Sequence, residues 1–380
     1  MRQDVVVSNF KFVGMSHGDG ESSYAKNSSL QGRMMAIIQP KFFAMIKSMR
    51  LPSSESPFRV ADLGCSSGPN TIASVEAIIE QVKARYKDEG KGASVPEFQV
   101  FFQDLPTNDF NTLFKHLFSR PSGKAATAQN FEFMPTAVPG SFYNRLFPKS
   151  TMNIITSSHA IHWLSQIPDS VNDKASAAYN GGHSELHRSS LATVQAYAEQ
   201  AERDFDHFLS ARAEEVVSGG LILLVFGIRE RFYPCNWIRV IHMQEDIWNT
   251  LVSEGLVSEE LRDGYNSPIY MRTLEEVNKQ LEKHKSEFEV EKQETVQFSF
   301  QTLLQNKHEG DPREMAKEMV KVSRGATGDS LEAYFGKTAT DLFYERYEHA
   351  LCELLTRENA GSAGEGLGSV TQILLGLRRK

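Results

Sequence analysis

Cysteine is scarce. The three in the chain, Cys65, Cys235 and Cys352, are far apart and in no paired spacing, out of 380 residues. That excludes a disulfide framework or a zinc ribbon. Long apolar runs are missing too: the longest, Leu221-Ile222-Leu223-Leu224-Val225-Phe226, is far too short to span a bilayer, and Met1-Arg2-Gln3-Asp4 leads into no apolar targeting core. There is no excess of positive charge, with 41 Lys and Arg against 48 Asp and Glu for a formal charge of −7. Such a chain has no general attraction for phosphate backbones or anionic lipid, so neither nucleic acid nor membrane is expected as a partner. With 40% hydrophobic and 23% charged residues the chain can fill a core. The expectation is a soluble, cytoplasmic protein of enzyme size.

The apolar pattern alternates between two periods. Residues 58–64, 98–102, 152–156 and 221–226 read as buried strands, the last one entered through Gly219-Gly220. Between them, 71–87, 109–118 and 191–217 carry apolar residues at helical spacing, as in Ile72, Val75, Ile78, Ile79 and Val82. Strands alternating with helices predict an α/β fold with a mostly parallel sheet. After Arg229 the pattern turns helical, over 245–254, 274–284, 313–322 and 331–355, with one strand-like stretch at 294–300. Residues 360–368 read as a flexible loop before a last strand at 370–377. The expected partition is a ligand-binding α/β part over 1–230, 288–300 and 369–380, and a mostly helical cap over 231–287 and 301–360.

The strongest chemical signal is Val60-Ala61-Asp62-Leu63-Gly64-Cys65-Ser66-Ser67-Gly68-Pro69-Asn70-Thr71. A strand runs into a glycine-containing turn that opens a helix, which lets backbone approach a ligand near helix N-terminal amides. The third glycine of a pyrophosphate-binding pattern is absent. Asp62, with Ser66, Ser67 and Asn70, suits a ligand bearing an amino acid moiety and hydroxyls; a plain cap on the following helix is the alternative for Asp62. Asp104, closing the second strand in Gln103-Asp104-Leu105-Pro106, can accept two ribose hydroxyls, with Leu105 beside a nucleobase.

Five segments, 15–33, 61–70, 103–110, 139–148 and 157–168, stand in the order and spacing of the plant SABATH family, which this chain resembles from about Met15 to its C-terminus. That family consists of S-adenosylmethionine-dependent methyltransferases of small carboxylic acids and, in one branch, of xanthine-type nitrogens. The resemblance implies a class I, Rossmann-like S-adenosylmethionine-binding sheet capped by helices, often as a homodimer. It places Tyr24, Ser28, Asp62, Cys65, Asn70, Asp104, Leu105, Ser141, Phe142 and Ser158 at the methyl donor. For Phe142, simple core packing beside Tyr143 and Phe147 is the alternative.

On the acceptor side the resemblance makes Gln31 and Trp163 the carboxylate clamp, with Tyr24, His159 and His162 around the substrate. Neutral donors suit this chemistry: the acid is ionised at pH 7, and a paired Arg or Lys would drain nucleophilicity from its oxygen. Two departures stand out. His159 occupies a position where the family usually carries Tyr, and Ser16-His17-Gly18-Asp19 replaces a Gly-Gly stretch. The first keeps a nitrogen or thiol acceptor open as the alternative to an aromatic or phenylpropanoid acid, and a non-catalytic binding protein is a third reading. Asp263-Gly264-Tyr265-Asn266-Ser267-Pro268 resembles a segment that in some members helps to hold Mg²⁺; here the set would be Asp173, Asp263, Asn266 and the Tyr265 carbonyl. The same segment fits a metal-free Asx-type turn. Trp237, Ile238, Ile241 and His242 are further candidates for the pocket wall. Met34, Met35, Met45 and Met49 read as core or pocket wall.

Overall fold

The computed structural model describes residues 14–53, 55–119, 132–229, 238–308, 310–359 and 368–380. Cys235, Trp237 and most of the loop expected at 360–368 lie outside the described residues, as does the side chain of Ile238.

The chain opens with three short helices, α1 (Tyr24–Asn27), α2 (Ser29–Ile38) and α3 (Phe43–Ser48). Strand β1 (Phe58–Leu63) then leads into α4 (Pro69–Asp88), and β2 (Phe98–Asp104) into α5 (Phe110–Ser119). Next come β3 (Met134–Pro139), β4 (Met152–Ser158), α6 (Leu191–Glu215) and β5 (Val216–Arg229). The later half carries α7 (Ile238–Ser253), α8 (Glu259–Asp263), β6 (Arg272–Thr273), α9 (Leu274–Lys283), β7 (Phe288–Ser299), α10 (Phe300–His308), α11 (Pro312–Phe335), α12 (Lys337–Asn359) and β8 (Ser369–Arg379).

The strands form one sheet in the order β3-β2-β1-β4-β5-β8-β7, with β6 beside β5. Strands β1 to β6 pair in parallel, whereas β8 runs antiparallel to both β5 and β7. Strand alternation sends Val60, Val100, Ile154 and Leu223 to one face, under Ile72, Val75 and Ile79 of α4. Leu63, Ile155, Leu224 and Ile373 meet Phe205, Phe208 and Leu209 of α6 on the other. Each such side chain, fully buried, contributes about 1.5–3 kcal/mol.

Several expected boundaries shift, each for an identifiable reason. Strand β5 begins at Val216, not Leu221, so Gly219-Gly220 lies inside the strand, where the β4–β5 register slips between Met152 and Ile154. A glycine pair that reads as a strand entrance is a bulge. The gap expected between helices at 323–330 is filled by α11, and the break falls at Gly336, which has φ +81°. Gly325 stays helical because α1 packs there: a Cβ at that position would stand 3.3 Å from both Asn27 Cβ and Tyr24 Cα. Strand β3 escapes the sequence reading because it carries Pro135 and Pro139 and lies at the sheet edge, where proline is tolerated. Strand β7, twelve residues long, is a mostly solvated edge strand with no apolar run to betray its first half. Helix α7 begins at Ile238 instead of 245. Helix α9 starts where its capping box of Thr273 and Glu276 dictates.

Candidate active site

The strand order reverses between β1 and β4, so the carboxyl ends of those two strands open a crevice that no crossover helix covers. Gly64 makes the turn out of β1 at φ +76°, and a Cβ there would lie 2.4 Å from Ala160 Cβ. Only glycine lets the β1 turn touch the segment after β4. Ser66, also left-handed at φ 52°, aims its amide at Asp104 Oδ2, 2.7 Å away, while Leu105 N donates to Oδ1 at 2.7 Å. Each Asp104 oxygen keeps a lone pair for a further donor. Asp62 accepts the Thr71 hydroxyl of α4. Burial raises its carboxyl to about 7, the Thr71 bond opposes this, and neighbouring Asp104 adds to it. Burial likewise raises Asp104 to about 6, against the two amide bonds. The half-buried Tyr24 phenol, held well above its usual range by burial and then by Asp104 and Asp62, stands beside this pair of carboxyls.

A cavity of about 510 Å³ stands over this edge. Among the expected site residues, Tyr24, Asp104, Leu105, Ser141, Phe142, Ser158, His159 and Trp163 line it. Ser28, Gln31, Asp62, Cys65, Asn70 and His162 do not line it but lie in the supporting structure. Asn70 Nδ2 donates to the Ser28 carbonyl at 2.8 Å, tying α4 to the start of α2. Cys65 is buried and its thiol is held above its usual range by burial. Among the described residues, Gln31 Oε1, Ser66 Oγ and Ser158 Oγ are buried with no protein partner. Buried polar atoms are ordinarily paired; Ser66 and Ser158 line the cavity and are available to a ligand there, whereas Gln31 lines neither this cavity nor the smaller one described next.

A second cavity, of about 240 Å³, shares Trp163 with the first and is otherwise walled by residues such as Leu30, Ile241, Trp248, Ile269, Met271 and Met319. Ile241 thus takes a pocket position suggested by the sequence, whereas His242 is not on that wall. Trp163 is fixed from several sides. Its amide donates to the Ala160 carbonyl at 3.0 Å, its carbonyl accepts Tyr143 Oη at 2.6 Å, and it bridges Ile269. Buried Arg272 holds the same segment through the Ile161 carbonyl at 2.8 Å. Two imidazoles frame this turn. Burial lowers His159 to about 4, against a bond with Gln372, and lowers His162 to about 3 with help from His159 and Arg272. Both are neutral at pH 7.

The loop bearing Ser141 and Phe142 hangs on α6. Arg212 and Glu215 form an ion pair at 2.7 Å with both side chains fully buried. Arg212 also donates to the Phe142 and Asn144 carbonyls at 2.7 and 3.0 Å, and Glu215 Oε1 accepts the Leu146 and Phe147 amides. Neither residue is visible as functional in the sequence, because one charged pair in an amphipathic helix reads as surface.

The residues expected at a magnesium ion do not form a site for one. Asp263 pairs with Arg262 at 2.7 Å and accepts the Gly182 amide. Asn266 spends its amide on Asn172 and Asn180, and Asp173 closes a turn onto the Ala175 amide. Among the described residues no group of three or more His, Cys, Asp or Glu could hold a metal. Each of these side chains already has a partner within the protein, and Asp263 has the Arg262 guanidinium beside it.

A mostly parallel sheet with this reversal, a cavity at its carboxyl edge and an acidic residue closing β2 defines the class I methyltransferase architecture. Residues 11–366 match the family described as SAM dependent carboxyl methyltransferase. Indole-3-acetate O-methyltransferase 1 of Arabidopsis thaliana is 36% identical over 91% of this chain and 92% of that protein. Gibberellic acid methyltransferase 2 of Arabidopsis thaliana is 33% identical over 88% of each. A solved structure of loganic acid methyltransferase with SAH superposes with a TM-score of 0.82 at 30% identity, covering 96% of this chain and 98% of that one. The chain belongs to the SAM-dependent carboxyl methyltransferases of the SABATH family, enzymes for which S-adenosylmethionine is the co-substrate. No helix among the described residues is long and apolar enough to cross a membrane.

Proposed function

We propose that this enzyme esterifies a small, largely apolar carboxylic acid of the aromatic or phenylpropanoid kind, with the donor in the larger cavity and the acid in the smaller. The observation that carries the reading is that the two cavities meet at Trp163. In this assignment Asp62, with Ser28, Cys65 and Asn70 packed behind it, faces the amino acid end of the donor. Asp104 takes the ribose hydroxyls, Leu105 and Phe142 flank the adenine, and Tyr24, Ser141 and Ser158 complete the wall. Gln31 and the Trp163 indole N–H hold the acceptor carboxylate, His159 borders it, and His162 supports the turn from behind.

The chemistry then asks little of any side chain. The carboxylate is already ionised, so no general base is needed. One carboxylate oxygen attacks the methyl carbon in line, the C–S bond breaks, and its electron pair stays on sulfur, giving methyl ester and S-adenosylhomocysteine without transfer of a proton. Holding the reactants in that line is worth on the order of 7–11 kcal/mol. The positive charge of the sulfonium disappears along the way, which an apolar cavity and two neutral imidazoles favour. No step requires a Lewis acid, so none is assigned to Mg²⁺. A cytoplasmic homodimer is the setting that the family resemblance supports, and sedimentation of the purified enzyme tests the dimer.

The test is transfer of tritiated methyl from S-adenosylmethionine to a panel of acids, with a xanthine and a thiol included. Methyl esters are the expected products. Turnover of the xanthine or thiol alone would replace the acceptor assignment, and ester from no acid would overturn it.

A further inference from the structure

One acidic side chain on the wall of the smaller cavity takes no part in the scheme above. Glu185 lines that cavity with Ser267, Gln244 and Tyr265 amid otherwise largely apolar residues. The neighbouring basic side chains are engaged elsewhere. His183 Nδ1 stands 3.3 Å from Glu245 Oε1, and Arg188 pairs with Glu245 at 3.1 Å and with Asp246 at 2.5 Å. The Ser184 amide, next to Glu185 in the chain, also turns to Glu245, at 3.3 Å. For Glu185 the structure provides the Ser267 hydroxyl, and among the described residues no ion pair. Burial, then the nearby Glu245 carboxylate, raises its carboxyl to about 8 against that hydroxyl bond. A carboxyl in such surroundings accepts hydrogen bonds readily and is costly to leave without a partner.

Resting on the carboxyl-methylation reading, we infer that Glu185 selects the acceptor: it pairs with an N–H or O–H donor carried by the acid at the end remote from its carboxylate. The substrate class is thus a monocarboxylic acid with a ring N–H or hydroxyl distal to the reacting group. A site built to bond a substrate N–H or O–H discriminates strongly against the analogue without it, because its own polar group is then left unpaired.

The experiment compares kcat/KM for matched acids, indole-3-acetate against 1-methylindole-3-acetate and 4-hydroxycinnamate against 4-methylcinnamate. The wild type is expected to favour the donor-bearing acid by at least about 10-fold in one pair, the scale of one hydrogen bond to an ionisable group. Glu185→Leu should bring that ratio to within threefold of one. S-adenosylhomocysteine affinity, measured alongside, reports that the variant is folded. Should the Leu variant lose that affinity, Glu185→Ala, which also removes the acceptor, decides, with the ratio expected to fall at least threefold. A wild-type ratio below tenfold in both pairs, or a ratio that the deciding variant leaves at its wild-type value, overturns the inference while acids are still methylated. Turnover of no acid by the wild type overturns the esterification reading itself, and this inference with it.

Discussion

Trp163 is the residue on which both cavities turn, and its backbone is held by Ala160, Tyr143 and Ile269 independently of its ring. Trp163→Phe should therefore keep the turn and the binding of S-adenosylhomocysteine while kcat/KM for acids falls about 10- to 100-fold, the scale of one hydrogen bond to a charged group. Steady-state kinetics beside calorimetry check this; a variant with wild-type turnover would remove the indole from the clamp. Asp62 and Asp104 make a second prediction. Their carboxyls are raised by burial, to about 7 and about 6. A raised carboxyl stabilises the ligand-free fold below about pH 4, and that contribution is lost as pH climbs through 6 to 7. A ligand with an ammonium group prefers the carboxylates, so the affinity for S-adenosylhomocysteine should rise with pH across the same window. Calorimetric Kd values should be flat above about pH 7.5 and weaken by up to tenfold per unit per carboxyl below about 6. At this scale the donor site was legible because its turn is contiguous in the chain and its glycines and acids have specific work. Glu185, Arg212 and Arg272 were not, since the two arginines act on carbonyls 68 to 111 positions away and Glu185 through a cavity that only the fold assembles.

Helix α6 serves the site as an element, through the buried Arg212–Glu215 pair that carries the 141–147 loop on its hydrogen bonds. Removing one partner of such a pair leaves an uncompensated buried charge, at a cost of about 3–5 kcal/mol. Arg212→Met should lower stability by that amount in urea titration, and donor affinity should fall with it because Phe142 loses its anchor. The double variant Arg212→Met/Glu215→Leu should recover part of the stability but not the affinity. If affinity returns as well, the loop does not depend on the pair. Elements were legible where burial is two-sided and periodic, as in β1, β4 and α4, whose apolar positions repeat without interruption. They were misjudged where glycine serves contact rather than termination, as at Gly325 under α1, and where an edge strand such as β3 or β7 buries too little to leave a pattern.

Across the whole molecule the sheet closes only through its last strand, since β8 lies between β5 and β7 and pairs with both. Ile373, Leu374, Leu375 and Leu377 are fully buried there, at about 1.5–3 kcal/mol each, together comparable to the whole margin by which a domain is stable. Truncation before Ser369 should abolish cooperative thermal unfolding and not merely lower its midpoint. A truncated protein that melts cooperatively and binds S-adenosylhomocysteine would show that β5 and β7 find another closure.

The position of β8 also bears on synthesis. A ribosome delivers β5, with its run of fully buried residues from Leu221 to Phe226, some 140 residues before the strand that covers its edge. During that interval a nascent chain exposes an unpaired, strongly apolar strand, the feature most prone to pair with a neighbouring chain. Yield of folded enzyme should accordingly depend on slow synthesis or on holdase chaperones, more than its equilibrium stability alone would suggest.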